Sequence, residues 1–452
     1  MASTACLTHR HTSSDGAALA PPPHLGYFAP MSIQCGIDFG TSNSTVAVVQ
    51  GGITTLVPVE DNHTTIPSAI FYPSGGEAAL YGRAAIGAYT LREPGRLMRS
   101  LKSILGADLI AERTSVGGRF QTFETILVGF LKHLKEKAET FAGGQIDAVV
   151  VGRPVHFVDN SEAADMRAET KLGDIAQSAG FKTVTFQFEP IAAALSFEHT
   201  LQRDETVFIA DIGGGTADFS VVEVGPKRRA KASRASDILA NDGIRVGGTN
   251  LDMRLSMAAV MPHLGSRSAT LTGQDLPRWP FLDLATWHRI HTLLTAKNMS
   301  LLKQILSDCA EPGVFGRYVE IIRQQTGHLV AGRVEQAKID LSAAGAVAID
   351  LTGQIPGLAA QADTALFETA IAGELERLHM AVAATVAASG QKPAAITTLF
   401  LTGGTSAVPA VRRVLIDQLP EAKVIEGDLF NSVGFGLALE AKRRFGGTKV
   451  AA

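Results

Sequence analysis

The segment VFIADIGGGTADFSVVEV, Val207 to Val224, sets three successive glycines between an aspartate and a Thr-x-Asp, with apolar runs on both sides. Glycine weakens a strand and marks a bulge, a tight turn or close approach of something to the backbone. Beside a hydroxyl and carboxylates, such a run suggests a turn that lets a ligand touch main-chain N–H groups. IDFGTSNSTVAVV (Ile37–Val49) has the same plan: strand, aspartate, apolar residue, glycine, hydroxyl-rich turn, second strand. Facing each other, Gly40, Thr41, Ser42 and Asn43 on one side and Gly213, Gly214, Gly215 and Thr216 on the other would enclose a polyphosphate. Asp38 and Asp211 each end a strand just before a turn and would repel phosphate, unless a hard cation lies between. Mg²⁺ keeps several waters and takes few carboxylates, so Asp38 and Asp211 are the candidate metal ligands. Asp218 adds a third carboxylate. A third pair, Gly403–Gly404 in LFLTGGTSAVPAV, precedes Thr405 and suits a purine or ribose lying against the main chain.

Other chemistries lack their residues. There is no GxxxxGK[ST], HExxH or GxSxG, and the three cysteines (Cys6, Cys35, Cys309) form no CxxC pair. That cysteine usage fits a reducing cytoplasm. A formal net charge of -3 makes no case for nucleic acid or an anionic membrane as partner. No apolar run approaches the roughly 18 residues of a membrane span. The first 30 residues read as a flexible tail, with Met31 as a sensible alternative start.

The elements that must position these turns alternate. Apolar runs at Cys35–Val49, Ala148–Val151, Val207–Val224 and Thr397–Leu401 read as strands. Phe123–Lys137, Ser161–Ala179, Arg333–Ser342, Thr369–Ala388 and Ala407–Leu419 carry a helical period. That alternation gives an α/β architecture. The two similar turns lie a domain's length apart, which suggests two related lobes. Leu264–Leu329, with both tryptophans, reads as an inserted helical subdomain. In it His288 and His291 have a metal-compatible spacing, but helix packing is the favoured reading. The basic run Pro226–Arg234 reads as a solvated hairpin connection.

Taken together, these segments resemble the actin/hexokinase/heat-shock-protein superfamily, most closely its 70 kDa heat-shock chaperone (DnaK-type) branch. GIDFGTSNSTVAVV resembles the first phosphate motif, DIGGGTADFSVV the second and LFLTGGTSAVP the adenosine motif. FEPIAAALSFE (Phe188–Glu198) and SVGFGLALEA (Ser432–Ala441) resemble the two connecting helices, and GIRVGGTNLD (Gly243–Asp252) the loop after the second phosphate motif, with Gly247 and Gly248. The resemblance implies a two-lobed actin-like ATPase fold of duplicated ribonuclease-H-like domains with a helical insertion in lobe II. Lobe I would span 31–205, lobe II 206–430 with the insertion at about 253–345, and a crossing helix and short tail 431–452. It implies ATP or ADP with Mg²⁺ as ligands. SLKSILG makes Lys102 the lysine near the terminal phosphate, Glu189 the glutamate near cation and hinge, and Glu335 and Lys338 the ribose contacts. Ile339 and Ala407 replace the two arginines that sandwich adenine in the chaperones, and Thr249–Asn250 replaces an acidic residue. The chain ends soon after the second connecting helix, similar to YegD-type chaperones that lack the peptide-binding domain.

The expected chemistry is slow, Mg²⁺-dependent ATP hydrolysis, with Lys102, Glu189, Asp211, Thr216 and Asp218 as its catalytic residues. Lobe closure would regulate a protein partner or client. Two alternatives stay open: a nucleotide-binding interaction module with little hydrolysis, and a small-molecule kinase using Asp218 as base.

Overall fold

The computed structural model describes residues 33–91, 93–158, 161–198, 201–229, 231, 235–427 and 431–446. The expected tail 1–30, Met31, part of the basic run and the segment after residue 446 lie outside the described residues.

The apolar runs pair into two sheets. In the first, β1 (Gln34–Phe39), β2 (Asn43–Gln50), β3 (Ile53–Leu56), β4 (Ala148–Arg153) and β5 (Thr183–Phe188) take the order β5-β4-β1-β2-β3. In the second, β6 (Glu205–Ile212), β7 (Ala217–Val224), β8 (Ile238–Ile244), β9 (Thr398–Thr402) and β10 (Lys423–Glu426) take the order β8-β7-β6-β9-β10. Each sheet opens with an antiparallel hairpin that a third antiparallel strand extends. The hairpin's first strand then pairs in parallel with a returning strand, and that strand with a further one. Order and sense are the same in both sheets. Strands β1, β2, β6 and β7 are buried along nearly their whole length. This is why they read as continuous apolar runs rather than alternating ones: both faces are covered.

Parallel pairing requires crossovers, and helices supply them. Helix α1 (Phe123–Ala142) is capped by Thr122, whose hydroxyl accepts the Thr125 N–H, and stops at Gly143 in the left-handed region. It runs past the expected end at Lys137, and Lys135 pairs with Glu139 in that extra turn. Helix α2 (Glu162–Ser178) returns the chain from β4 to β5 behind its Ser161 cap.

Helices α3 (Glu189–Glu198) and α6 (Ser432–Phe445) cross in a cluster that joins Val150 of β4 to Val207, Ile209 and Phe400 of the second sheet. A β-carbon at Gly436 would overlap the Ala192 carbonyl, so the small residues are what let these helices touch.

The expected helical insertion is helical: Trp279–Leu284, Ala296–Asp308, Pro312–Arg323 and α5 (Gly327–Leu341), with α4 (Gly248–Leu255) leading in. It is not a separate core, however. Phe281, Leu293, Phe315 and Tyr318 belong to one continuous cluster with Phe208, Phe219 and Leu399 of the second sheet. His288 and His291 lie on a 3-10 segment, Trp287–Leu294. Burial pushes both imidazoles down to about 4, and His291 packs against Phe123.

Candidate functional site

The two hairpin turns meet. A β-carbon on Gly215 would lie 2.6 Å from Thr41 Oγ1, and one on Gly214 would overlap Ser42 Oγ. Only glycine lets the second turn come this close to the first. Each turn is anchored from behind. Ser68 Oγ donates to the Gly40 carbonyl (2.7 Å) and Ser68 N–H to the Ser42 carbonyl (2.8 Å). In the second turn, Gly213 N–H donates to the Thr216 carbonyl (2.9 Å). The Gly213 carbonyl accepts from Gly248 N–H (3.0 Å) and Thr405 Oγ1 (2.7 Å), and the Gly214 carbonyl from Thr249 N–H (2.8 Å). The carbonyls are therefore engaged. The N–H groups of Thr41, Ser42, Gly214 and Gly215 donate to no acceptor among the described residues. Paired main-chain donors left open on two abutting turns form a ready anion cradle.

Below the turns lies a cluster of carboxylates. Asp211 and Asp218 sit opposite each other in the β6–β7 register, and both are buried, as is Glu189. Asp38 is half-buried at the end of β1. Lys102 is 6% exposed and its Nζ lies 2.5 Å from Glu189 Oε1, so it is a buried, paired lysine rather than a surface one. Burial, then the Glu189 charge, raises Asp38 to about 7, with Lys102 opposing. Burial and Glu189 raise Asp218 to about 7 against hydrogen bonds from Thr216 and the Val155 N–H. Asp211 is pushed well above the usual carboxylate range by burial, Glu189, Asp38 and Asp218 together. For Lys102, burial works against the ammonium, but Glu189 and Asp38 outweigh it and raise its pKa. One ammonium thus faces four carboxylates, and burial first, then their mutual repulsion, holds Asp38, Asp211 and Asp218 above the usual range. A divalent cation fits that imbalance. Among the described residues no three His, Cys, Asp or Glu side chains converge as a direct ligand cage. Asp38 and Asp211 would be a donor set of the kind that suits Mg²⁺, which takes few carboxylates and keeps several waters.

The third wall stands beside Asp211. Gly403 has φ +76°, and a β-carbon there would lie 2.7 Å from Asp211 Oδ1, so glycine is required twice over. Gly404 and Thr405 open the 3-10 turn that follows. Gly247 packs on the Gly214–Gly215 peptide, where a β-carbon would lie 2.6 Å from the Gly215 nitrogen. A β-carbon on Gly248 would lie 3.1 Å from Lys338 Nζ. Lys338 is buried and paired with Asp252 (2.8 Å), so its charge is already matched. Glu335 pairs with Arg99 (3.1 Å), whose guanidinium also lies 4.2 Å from the Trp287 ring centroid. Ile339 is 53% exposed.

Most of the expected residues therefore come together: both turns, the carboxylates, Lys102, Gly247–Gly248, Lys338 and Gly403–Thr405. Asn43 serves as a ladder residue opposite Pro67 at the start of β2. Glu335 meets Arg99 at the rim rather than the turns. Three partners escaped sequence reasoning: Asp252, Arg99 and the Val155 N–H, which reaches Asp218 Oδ1 at 2.5 Å. Asp252 stands inside the GIRVGGTNLD segment and could have been weighed as the counter-charge to Lys338. Nothing in the sequence marks the other two.

The family model described as Hsp70 protein matches residues 34–257. This is just under half of the chain. The matched part carries both hairpin turns, Lys102, Glu189 and Gly247–Gly248, and stops short of Glu335, Lys338 and Gly403–Thr405. Over those residues the chain is similar to the Hsp70 family. The mixed α/β architecture fits the nucleotide-binding domain of that family. Among the described residues no helix is long and apolar enough to cross a membrane.

Proposed function

We propose that this chain binds ATP with Mg²⁺ between two actin-like lobes, hydrolyses it slowly, and uses lobe closure to regulate a protein partner. The observation that carries the reading is the meeting of the two turns, open N–H groups on both sides, above a buried carboxylate cluster short of positive charge. Magnesium, held through water by Asp38 and Asp211, would neutralise charge on the β- and γ-phosphates. Thr41, Ser42, Gly214 and Gly215 hold the phosphates in position. Glu189 fixes the Lys102 ammonium where charge develops on the terminal phosphate. Asp218, steadied by Thr216 and the Val155 N–H, orients the attacking water. Lys102 is a cation that acts on Asp38, Asp211 and Asp218 alike. The ribose would lie against Gly403–Gly404 near Lys338, and the purine beside Ile339 and Ala407. Similarity to the YegD-type branch belongs to the same reading.

Closure has a structural candidate in the α3–α6 crossing, where smooth contacts at Ala192 and Gly436 permit shear. A second reading, nucleotide binding with little hydrolysis, draws support from the exposed Ile339, since an aliphatic wall holds a purine without guanidinium stacking. Calorimetric titration with ATP, ADP and GTP, with and without Mg²⁺ and with turnover measured in parallel, separates the two. Mg²⁺-dependent ATP binding with measurable turnover is expected. Binding without turnover selects the second reading, and no binding removes both. Acceleration of ADP release by a sugar or polyol, in proportion to its consumption, would point to a kinase instead.

A further inference from the structure

Arg153 ends β4, and its guanidinium grips a single loop. Nε donates to the Pro154 carbonyl at 2.9 Å. One Nη donates to the Val155 carbonyl (2.9 Å) and to Asp165 Oδ2 (2.6 Å), the other to Glu169 Oε2. Asp165 and Glu169 lie one turn apart on α2, and the second oxygen of Asp165 accepts the Phe157 N–H. The rings of Phe157 and Phe188 flank the guanidinium at 5.3 and 5.0 Å. Phe188 immediately precedes Glu189.

The connection to the site runs through one rigid unit. The Pro154 carbonyl and the Val155 N–H belong to the same peptide plane, which cannot twist without large cost. Arg153 holds the carbonyl end of that plane, and Asp218 accepts a hydrogen bond from the N–H end. This bond crosses from the loop of the first sheet to the hairpin of the second. Gly243 on β8 keeps the passage open, since a β-carbon there would lie 2.8 Å from Asp218 Oδ1 and 3.2 Å from Val155 Cβ. A simple buried counter-ion for Asp165 would need one contact. The fork of Arg153 instead fixes two successive carbonyls and two carboxylates, a geometry that a lysine lacks.

We propose that Arg153 is a positioning residue: through the Pro154–Val155 peptide plane it aims the Val155 N–H at Asp218, so that the acid pair on α2 sets the geometry of that carboxylate. The inference rests on the water-orienting role given to Asp218 above.

The test compares Arg153→Ala and Arg153→Lys with wild type in the full chain, by NMR-detected amide hydrogen exchange. The Val155 amide is expected to exchange more than about tenfold faster in both variants, while the Val150 amide within β4 keeps its wild-type rate. In the same proteins kcat for Mg-ATP should fall about tenfold, with the nucleotide Kd held. The double variant Asp165→Asn/Glu169→Gln should reproduce both effects and add little to Arg153→Ala, as expected of residues in one network. An unchanged Val155 amide, or equal acceleration at Val155 and Val150 in both variants, would overturn the proposal. So would a selective exchange response with unaltered kcat. If exchange responds as expected but the wild type hydrolyses no ATP, the clamp stands and the ATPase reading falls.

Discussion

The two hairpins share strand order and sense, yet they divide the work unequally. The first turn, Gly40–Ser42, has one glycine and is braced by Ser68 from the edge of its own sheet. It contributes hydroxyls and a single carboxylate, Asp38. The second turn has three glycines and is braced by three groups that follow strands of its own sheet, Gly248 and Thr249 after β8 and Thr405 after β9. It contributes the close approach and two buried carboxylates, Asp211 and Asp218. One topology used twice therefore gives a side held by one residue, Ser68, and a side held by three, with the close approach made by its glycines. Substitutions in the second half should accordingly cost more than matched ones in the first.

The largest effect is expected at Asp211. Asp211→Ala should abolish Mg²⁺-ATP turnover, a loss of at least about 100-fold on the scale of a lost charge-positioning group. Because the buried Asp211 carboxyl is held well above its usual range, the folded protein without metal should not be destabilised by Asp211→Asn. Unchanged turnover would remove Asp211 from the metal site.

Lys102→Ala comes next. Hydrolysis should fall more than about tenfold while nucleotide affinity is kept. The substitution strands Glu189 without its counter-ion, and unpairing a buried ion pair costs about 3–5 kcal/mol, so the melting temperature should fall as well. Equal loss of binding and hydrolysis would make Lys102 structural.

The hairpins themselves are contrasted by Gly214→Ala and Ser42→Ala. The first forces a β-carbon into Ser42 Oγ and should weaken nucleotide binding by at least about tenfold, whereas the second removes one hydroxyl donor, worth only about threefold. Calorimetry on the two variants decides whether the asymmetry is real, and equal losses would contradict it.

The smallest effect concerns pH. Asp218 has a folded pKa raised to about 7 by burial and the Glu189 charge, so its contribution to stability is present at low pH and lost as pH rises from about 4 through 7. The stability advantage of Asp218→Asn over wild type, without nucleotide or metal, should therefore grow across that window and level off above it. His288, His291 and His328 have depressed values of about 4, 4 and 3, so they act with the opposite sign, losing stability as pH falls below 6.5. Because the histidines are common to both proteins, the difference between variant and wild type removes their contribution. Thermal melts at a series of pH values check this, and a difference that does not change with pH would contradict it.

Local chemistry made the hairpins legible in the sequence, since glycine, hydroxyl and carboxylate at short spacing are demanded by the turn itself. The α/β alternation was legible for the same reason, because strands covered on both faces must be continuously apolar. What escaped was long-range pairing. The bond between Val155 and Asp218 joins residues 63 positions apart through a backbone N–H, which every residue but proline possesses. Arg153 is indistinguishable in sequence from a surface arginine until α2 brings Asp165 and Glu169 to it. The helical period of the insertion was visible, but the fusion of its core with Phe208 and Phe219 depends on how the chain returns, and no local pattern records that.

The central claim is that one phosphate chain is shared between the two turns. Backbone amide NMR of the ¹⁵N-labelled protein during titration with Mg-ADP tests it most directly. Thr41, Ser42, Gly214 and Gly215 are expected to shift together along one saturation curve. Movement on one turn alone, or on neither, would contradict it.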